Sequence, residues 1–387
     1  MTPEIYLAVD NCFASKRWTT PSRWMRMAKK LGINYVEASA DNECDPLYMG
    51  QQYLDDWVTE VKEMEQETGV KVINLYSGHG TYATLGLAHH DERVRNKMQK
   101  EWLESMVKIA GNLDAGIGFF CHAFSQQLLQ KTDDYYSACD ELYDRLASLA
   151  SFASKNNVKS MGVEQMYTPH QIPWTISGAQ KLIGEVYQRS GKNFYITIDT
   201  GHQSGQRKFL RPEYGKIKEA ARVFREKERI DNFWVGPRSA HLIFKEIARG
   251  GFEKSVDNII NEMDKTPYLF ANYEDGDPYE WLEQLGCFSP IIHLQQTDGK
   301  TSSHKPFNDE CNKNGIIKGK EILRAIQKSY EKDYSGMPGK CDKIYLTLEI
   351  FAGTAELPVD IINKLKDSVA YWRQFIPKDG LTLDKLI

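Results

Sequence analysis

Short apolar runs recur along the chain, and between them lie longer stretches with a 3.6-residue apolar period. The short runs predict strands over Ile5–Asp10, Asn34–Ser39, Lys71–Tyr76, Gly116–His122, Lys159–Gln165, Asn193–Asp199, Pro290–Gln295 and Lys343–Ile350. The periodic stretches predict helices over Thr20–Leu31, Tyr53–Thr68, Glu92–Leu113, Tyr135–Lys155, Ser177–Ser190, Pro278–Leu285, Gly319–Glu331 and Val359–Phe375. Pro21 suits the first turn of its helix, and Gly32 and Gly69 stand where helices end in a left-handed residue.

Strands that alternate with helices specify a parallel sheet, and eight such units favour closure into a (β/α)8 TIM barrel. One domain over residues 1–387 is expected. The spacing breaks once, between strands six and seven. There Glu213–Arg229, His241–Ala248 and Phe252–Asp264 have helical periodicity, so 206–266 is expected to be a helical insertion. An insertion after a barrel strand emerges at the catalytic face, which makes it a candidate cover or subunit contact.

Composition narrows the class further. The chain has 387 residues, 41% hydrophobic and 26% charged, with a formal net charge of −4. That balance gives no support to a nucleic-acid partner. MTPEIYLAVD has neither a basic leader nor an apolar core, and no stretch has the length of a membrane span, so a cytoplasmic protein is expected. The seven cysteines are widely spaced and include no Cys-x-x-Cys, which suits reduced, buried thiols.

The chemistry lies where the strands end. Strand two ends near Glu37, His79 follows strand three, and strand four ends at His122. Strand five ends at Glu164, and strand six at Asp199 with His202 three residues on. Strand seven carries His293 and strand eight Glu349. A lone histidine or acid at a strand end is usually structural, but these recur at one end of almost every strand, which in a barrel is one mouth. Three carboxylates and an imidazole from four successive strands would repel one another unless a cation joined them. Glu164, Asp199, His293 and Glu349 are therefore the expected ligands of one divalent ion. Mostly oxygen donors suit Mn²⁺, Mg²⁺ or Co²⁺, and Zn²⁺ also fits. His202 stands beside Asp199 to meet a substrate, and Glu37, His79 and His122 are expected to line the same mouth.

The motifs GVEQ at Glu164, IDTGH at Asp199 and His202, IIHLQQTDG at His293 and LTLEIF at Glu349 resemble those of the xylose-isomerase-like TIM-barrel superfamily. LGINYVEAS and DGDPYEWLEQLG are typical as well. The resemblance runs from Ile5 to about Phe375, apart from the insertion. It implies a metal-dependent sugar isomerase or epimerase like D-tagatose 3-epimerase, acting on a ketose or ketose phosphate through a cis-enediolate. In such enzymes the metal acts as a Lewis acid on two adjacent substrate oxygens. Glu164 and Glu349 would be the catalytic acid–base pair, and His202 would contact a substrate oxygen. A homo-oligomer with a small sugar partner is implied too.

The sequence departs from that pattern twice. After Glu164 the epimerases carry a second acid, whereas EQMYTPHQ offers Tyr167 and His170. After the strand-seven histidine they carry an arginine, whereas LQQTDGKTSSHKPF has none. Its Lys300, Ser302, Ser303, His304 and Lys305 instead suggest a phosphate-binding loop, with Lys300 and Lys305 as the cations. The alternative is a metal-dependent lyase on the same barrel, a dehydratase or decarboxylase. A phosphodiesterase with several metals and more histidine ligands is a further rival, opposed by the net charge. A non-catalytic sugar-binding barrel fits poorly with a complete ligand quartet.

Overall fold

Eight parallel strands close on themselves around a buried interior. The computed structural model describes residues 2–77, 84–250 and 255–387. The strands are β1 (Glu4–Asp10), β2 (Tyr35–Ser39), β3 (Lys71–Tyr76), β4 (Gly116–Phe119), β5 (Met161–Glu164), β6 (Tyr195–Asp199), β7 (Ile291–Leu294) and β8 (Lys343–Leu348). Each pairs with its neighbour in chain order, and β8 and β2 both pair with β1, which closes the barrel. A two-residue strand, β9 (Leu381–Thr382), joins the start of β1 antiparallel.

The strands are almost wholly buried because helices cover their outer faces and side chains fill the inside. The helices end where local chemistry stops them. Pro21–Lys30 is followed by Gly32 at φ 75°, and Gln51–Thr68 by Gly69 at φ 72°. Thr175 caps Ile176–Ser190 through its hydroxyl.

Two details differ from the sequence expectation. The helix expected over Glu92–Leu113 is interrupted by a π-type segment at Met98–Leu103, which periodicity alone does not signal. β4 ends at Phe119, so His122 lies in the following loop rather than in the strand. The third insertion helix spans Val256–Asp264, and the part of its expected range at 252–254 lies outside the described residues.

Between β6 and β7, helices Tyr214–Lys227, Arg238–Ala248 and Val256–Asp264 pack on one another through Ile217, Ala220, Phe244, Ile259 and Met263. This unit docks beside the loop after β4. Arg238 N donates to Gln130 Oε1 at 2.6 Å, Thr132 Oγ1 donates to the Lys265 carbonyl at 2.8 Å, and Tyr268 stacks on Tyr135 at 3.8 Å. Among the described residues, no helix is long and apolar enough to cross a membrane.

Candidate functional site

At the C-terminal end of the barrel, four buried side chains from successive units converge. Glu164 ends β5, Asp199 ends β6, His293 lies within β7, and Glu349 follows β8 by one residue. One ligand atom from each lies within 4.8 Å of the others, an arrangement that can hold a metal ion. His293 Nδ1 is 3.2 Å from Glu164 Oε1 and 3.4 Å from Glu349 Oε2. Glu349 Oε2 has no hydrogen-bond partner among the described residues, as befits an oxygen offered to a cation.

The electrostatics also favour a cation. Burial, reinforced by Asp199 and Glu164, pushes the Glu349 carboxyl well above its ordinary range despite the nearby His293. Burial would likewise raise Asp199, but the imidazoles of His202 and His304 hold it below the usual carboxylate range. Burial would lower His293, yet Glu37 and Glu349 raise it well above an ordinary histidine. A cation would offset the burial and mutual repulsion that raise Glu349.

His202 is fixed by Nδ1, which donates to the Gln165 carbonyl at 2.7 Å and leaves Nε2 facing Asp199 Oδ2 at 3.6 Å. Its ring packs on Tyr167 at 3.9 Å. Gly201, between Asp199 and His202, is required by space: a Cβ there would lie 2.3 Å from Gln295 Cδ. The Gln295 amide donates to Asp199 Oδ1 at 2.8 Å and Oδ2 at 3.0 Å, and its carbonyl accepts from Ser303 N and His304 N. The loop after β7 is thereby tied to the Asp199 carboxylate.

On that loop Lys300 and Lys305 are exposed. His304, between them, is the residue that enters the cluster, with Nδ1 3.3 Å from Glu349 Oε2 and its ring stacked on Phe351 at 3.9 Å. A left-handed backbone at His304, φ 44°, turns it inward. Asp199, His202 and His304 form a second group able to hold a metal, sharing Asp199 with the first.

Glu37, expected at the mouth, is fully buried behind His293, and its Oε2 accepts from His293 Nε2 at 2.8 Å. His122 is buried near Glu164 and His202, and burial lowers its pKa to about 4, leaving it neutral. His79 lies outside the described residues. His170 turns away from the cluster to the Phe124 carbonyl, at 2.8 Å.

Sequence reasoning passed over Tyr76, whose hydroxyl donates to Glu164 Oε2 and whose ring stands edge-on to His293 at 4.8 Å. Its place at the end of β3 was the available signal; a tyrosine there reads as an ordinary strand former. β4 makes room for it, since a Cβ at Gly118 would lie 2.8 Å from Tyr76 Cδ2.

Among curated proteins, the chain is 29% identical over 115 residues to D-erythrulose 1-phosphate 3-epimerase of Brucella abortus (strain 2308). That match covers 30% of this chain and 34% of the Brucella enzyme. A provisionally assigned xylose isomerase from Rhodospirillum rubrum ATCC 11170 superposes with a TM-score of 0.67 at 16% identity, covering 96% of this chain and 99% of that one. L-ribulose 3-epimerase superposes with a TM-score of 0.53 at 13% identity, covering 96% and 93% respectively. At those identities the superpositions speak for the fold. The sequence profile described as xylose isomerase-like TIM barrel matches residues 25–230, and the chain belongs to that family.

Proposed function

We propose that this protein is a divalent-metal-dependent sugar epimerase or isomerase acting on a ketose or ketose phosphate through a cis-enediolate. The observation that carries the proposal is the buried quartet Glu164, Asp199, His293 and Glu349, gathered at the mouth where barrel enzymes keep their chemistry. The partial likeness to an erythrulose phosphate epimerase supports the substrate class. A bound Mn²⁺, Mg²⁺, Co²⁺ or Zn²⁺ would supply Lewis-acid stabilisation of the oxyanion that develops on the substrate.

The chain's own residues do the rest. Glu164 takes a proton from the carbon beside the carbonyl, and Tyr76 holds its Oε2 so that the carboxylate keeps one orientation. Glu349 returns a proton to the opposite face. His202 and the neutral His122 offer imidazole nitrogens to substrate hydroxyls, and Phe351 and Tyr167 flank the cluster. The helical unit at 206–266 would act as a cover beside this mouth.

The second group favours one other reading, a two-ion centre that shares Asp199. Titrating stripped protein with Mn²⁺ distinguishes one equivalent from two. The function itself is tested by screening free and phosphorylated ketoses with Mn²⁺ and reading products by mass and NMR. A product of unchanged mass, lost on chelation, is expected. Loss of water or CO₂ would replace the proposal with a lyase, and full turnover in metal-free protein would remove it.

A further inference from the structure

Glu37 is a charged residue with no access to solvent and no place at the mouth, so its burial must serve a partner. It has two. Oε2 accepts from His293 Nε2 at 2.8 Å, and Oε1 accepts from Asn74 Nδ2 at 2.6 Å. The backbone is arranged to make this pairing. Between β2 and β3 the register slips after Val36, which faces Val72, so that Glu37 faces Asn74. Such an irregularity re-aims side chains inside a barrel. Gly118 on β4 leaves the space, since a Cβ there would lie 3.1 Å from Asn74 Nδ2. Asn74 thus pins one carboxylate oxygen and leaves the other for the imidazole.

A histidine that donates Nε2–H carries its lone pair on Nδ1, and Nδ1 is the nitrogen that faces Glu164 and Glu349. We propose that Glu37 is a positioning residue: held by Asn74, it fixes the tautomer and rotation of His293 so that Nδ1 is presented to a cation, and its charge makes that nitrogen a stronger donor. The proposal rests on reading the quartet as a metal centre.

The test uses the full-length protein stripped of metal, titrated with Co²⁺ against a chelator of known affinity. Glu37→Leu removes the acceptor and is expected to weaken Co²⁺ binding by roughly 10–100-fold. Glu37→Gln keeps the shape and loses the charge, and about tenfold weakening is expected. A merely structural role would lower the melting temperature without moving the affinity of the folded fraction. Nitrogen-15 labelling of the imidazoles adds a signature, an exchange-protected Nε2–H present in the wild type and absent from Glu37→Leu. If Glu37→Leu does not fold, Glu37→Gln carries the test alone. Wild-type affinity in folded Glu37→Gln overturns the proposal. A wild-type protein that binds no Co²⁺ overturns the metal reading beneath it, a failure visible before any variant is made.

Discussion

The two ends of the barrel hold opposite kinds of site. At the N-terminal end, where β1, β2, β6 and β8 begin, lies a cavity of about 620 Å³ lined by Tyr6, Tyr35, Tyr195 and Tyr345 and rimmed by lysines. Three of the tyrosines pack on one another with ring centres 5.0–5.5 Å apart. Its charges are on the surface and matched, Lys71 with Glu65 at 3.2 Å and Lys159 with Asp114 at 2.5 Å. At the C-terminal end, acids and imidazoles are packed together out of water. A cavity by itself does not mark the active end. Desolvated like charges are the better guide, because a fold retains them only for a partner that repays the cost. Barrel enzymes also place chemistry at the C-terminal face and stability at the other.

The largest expected effect lies in the buried cluster. Glu164→Gln or Glu349→Gln should lower turnover by roughly 10²–10⁴, the range of a lost acid or base. Metal content must be checked first, since a neutral amide holds a divalent ion less well than a carboxylate. If the two glutamates serve opposite faces, each variant keeps one half-reaction. With Glu349→Gln, Glu164 still exchanges the proton of one epimer with D₂O without forming product, and Glu164→Gln exchanges only the other epimer. Metal-bound variants with no one-sided exchange would exclude two-base epimerisation and leave an isomerase or a lyase.

A buried carboxylate outside the cluster sharpens the contrast. Glu43, just past β2, accepts from Asn11 Nδ2 at 3.0 Å, Trp24 Nε1 at 2.8 Å and Trp57 Nε1 at 3.2 Å. Burial outweighs these donors and raises its pKa to about 7. The folded state therefore favours the protonated form. This contribution is complete below the unfolded value near 4.5 and is lost as pH rises through about 7, amounting to roughly 3 kcal/mol at most. The melting-temperature advantage of wild type over Glu43→Gln should shrink from pH 5 to pH 8. An advantage that grows with pH would mean that the three donors win and Glu43 stays ionised.

Metal should also stabilise the active end. A divalent ion at a hundredfold excess over its Kd adds about 2.7 kcal/mol, which should appear as a rise in melting temperature lost on chelation and in Asp199→Asn. An unchanged melting temperature with tight binding would require the unfolded chain to bind the ion as well.

The barrel was legible in the sequence because β-strand and helix periods alternate eight times and glycines mark the helix ends. The four converging residues were legible because charged and imidazole side chains are costly in or beside the ends of buried strands, where Glu164, Asp199, His293 and Glu349 stand. What escaped depended on contacts between distant segments. Glu37 reads like the other strand-end acids, and only the slip opposite Asn74 and the reach to His293 show that it faces inward. The loop after β7 reads as a run of cationic and hydroxyl donors. Its backbone bonds to Gln295 turn His304 inward and leave Lys300 and Lys305 outside. No periodicity encodes that.

The smallest expected effect tests the other half of the comparison. Lys159 and Asp114 form an ion pair at the N-terminal rim, but their side chains are 58% and 74% exposed. Water screens such a pair, and ordering a long lysine side chain cancels much of the attraction. Lys159→Ala should therefore move the melting temperature by no more than about 1 °C and leave turnover and metal affinity unchanged. The same should hold for Lys71→Ala, whose partner Glu65 also keeps contact with solvent. Both residues begin or precede strands whose far ends carry the cluster, Lys71 on β3 with Tyr76 and Lys159 before β5 with Glu164. A loss of turnover in either variant, with the fold intact, would mean that displacement at one end of these strands reaches the acids at the other. The N-terminal cavity would then be coupled to the chemistry, and the division of the barrel into an active and a structural end would have to be abandoned.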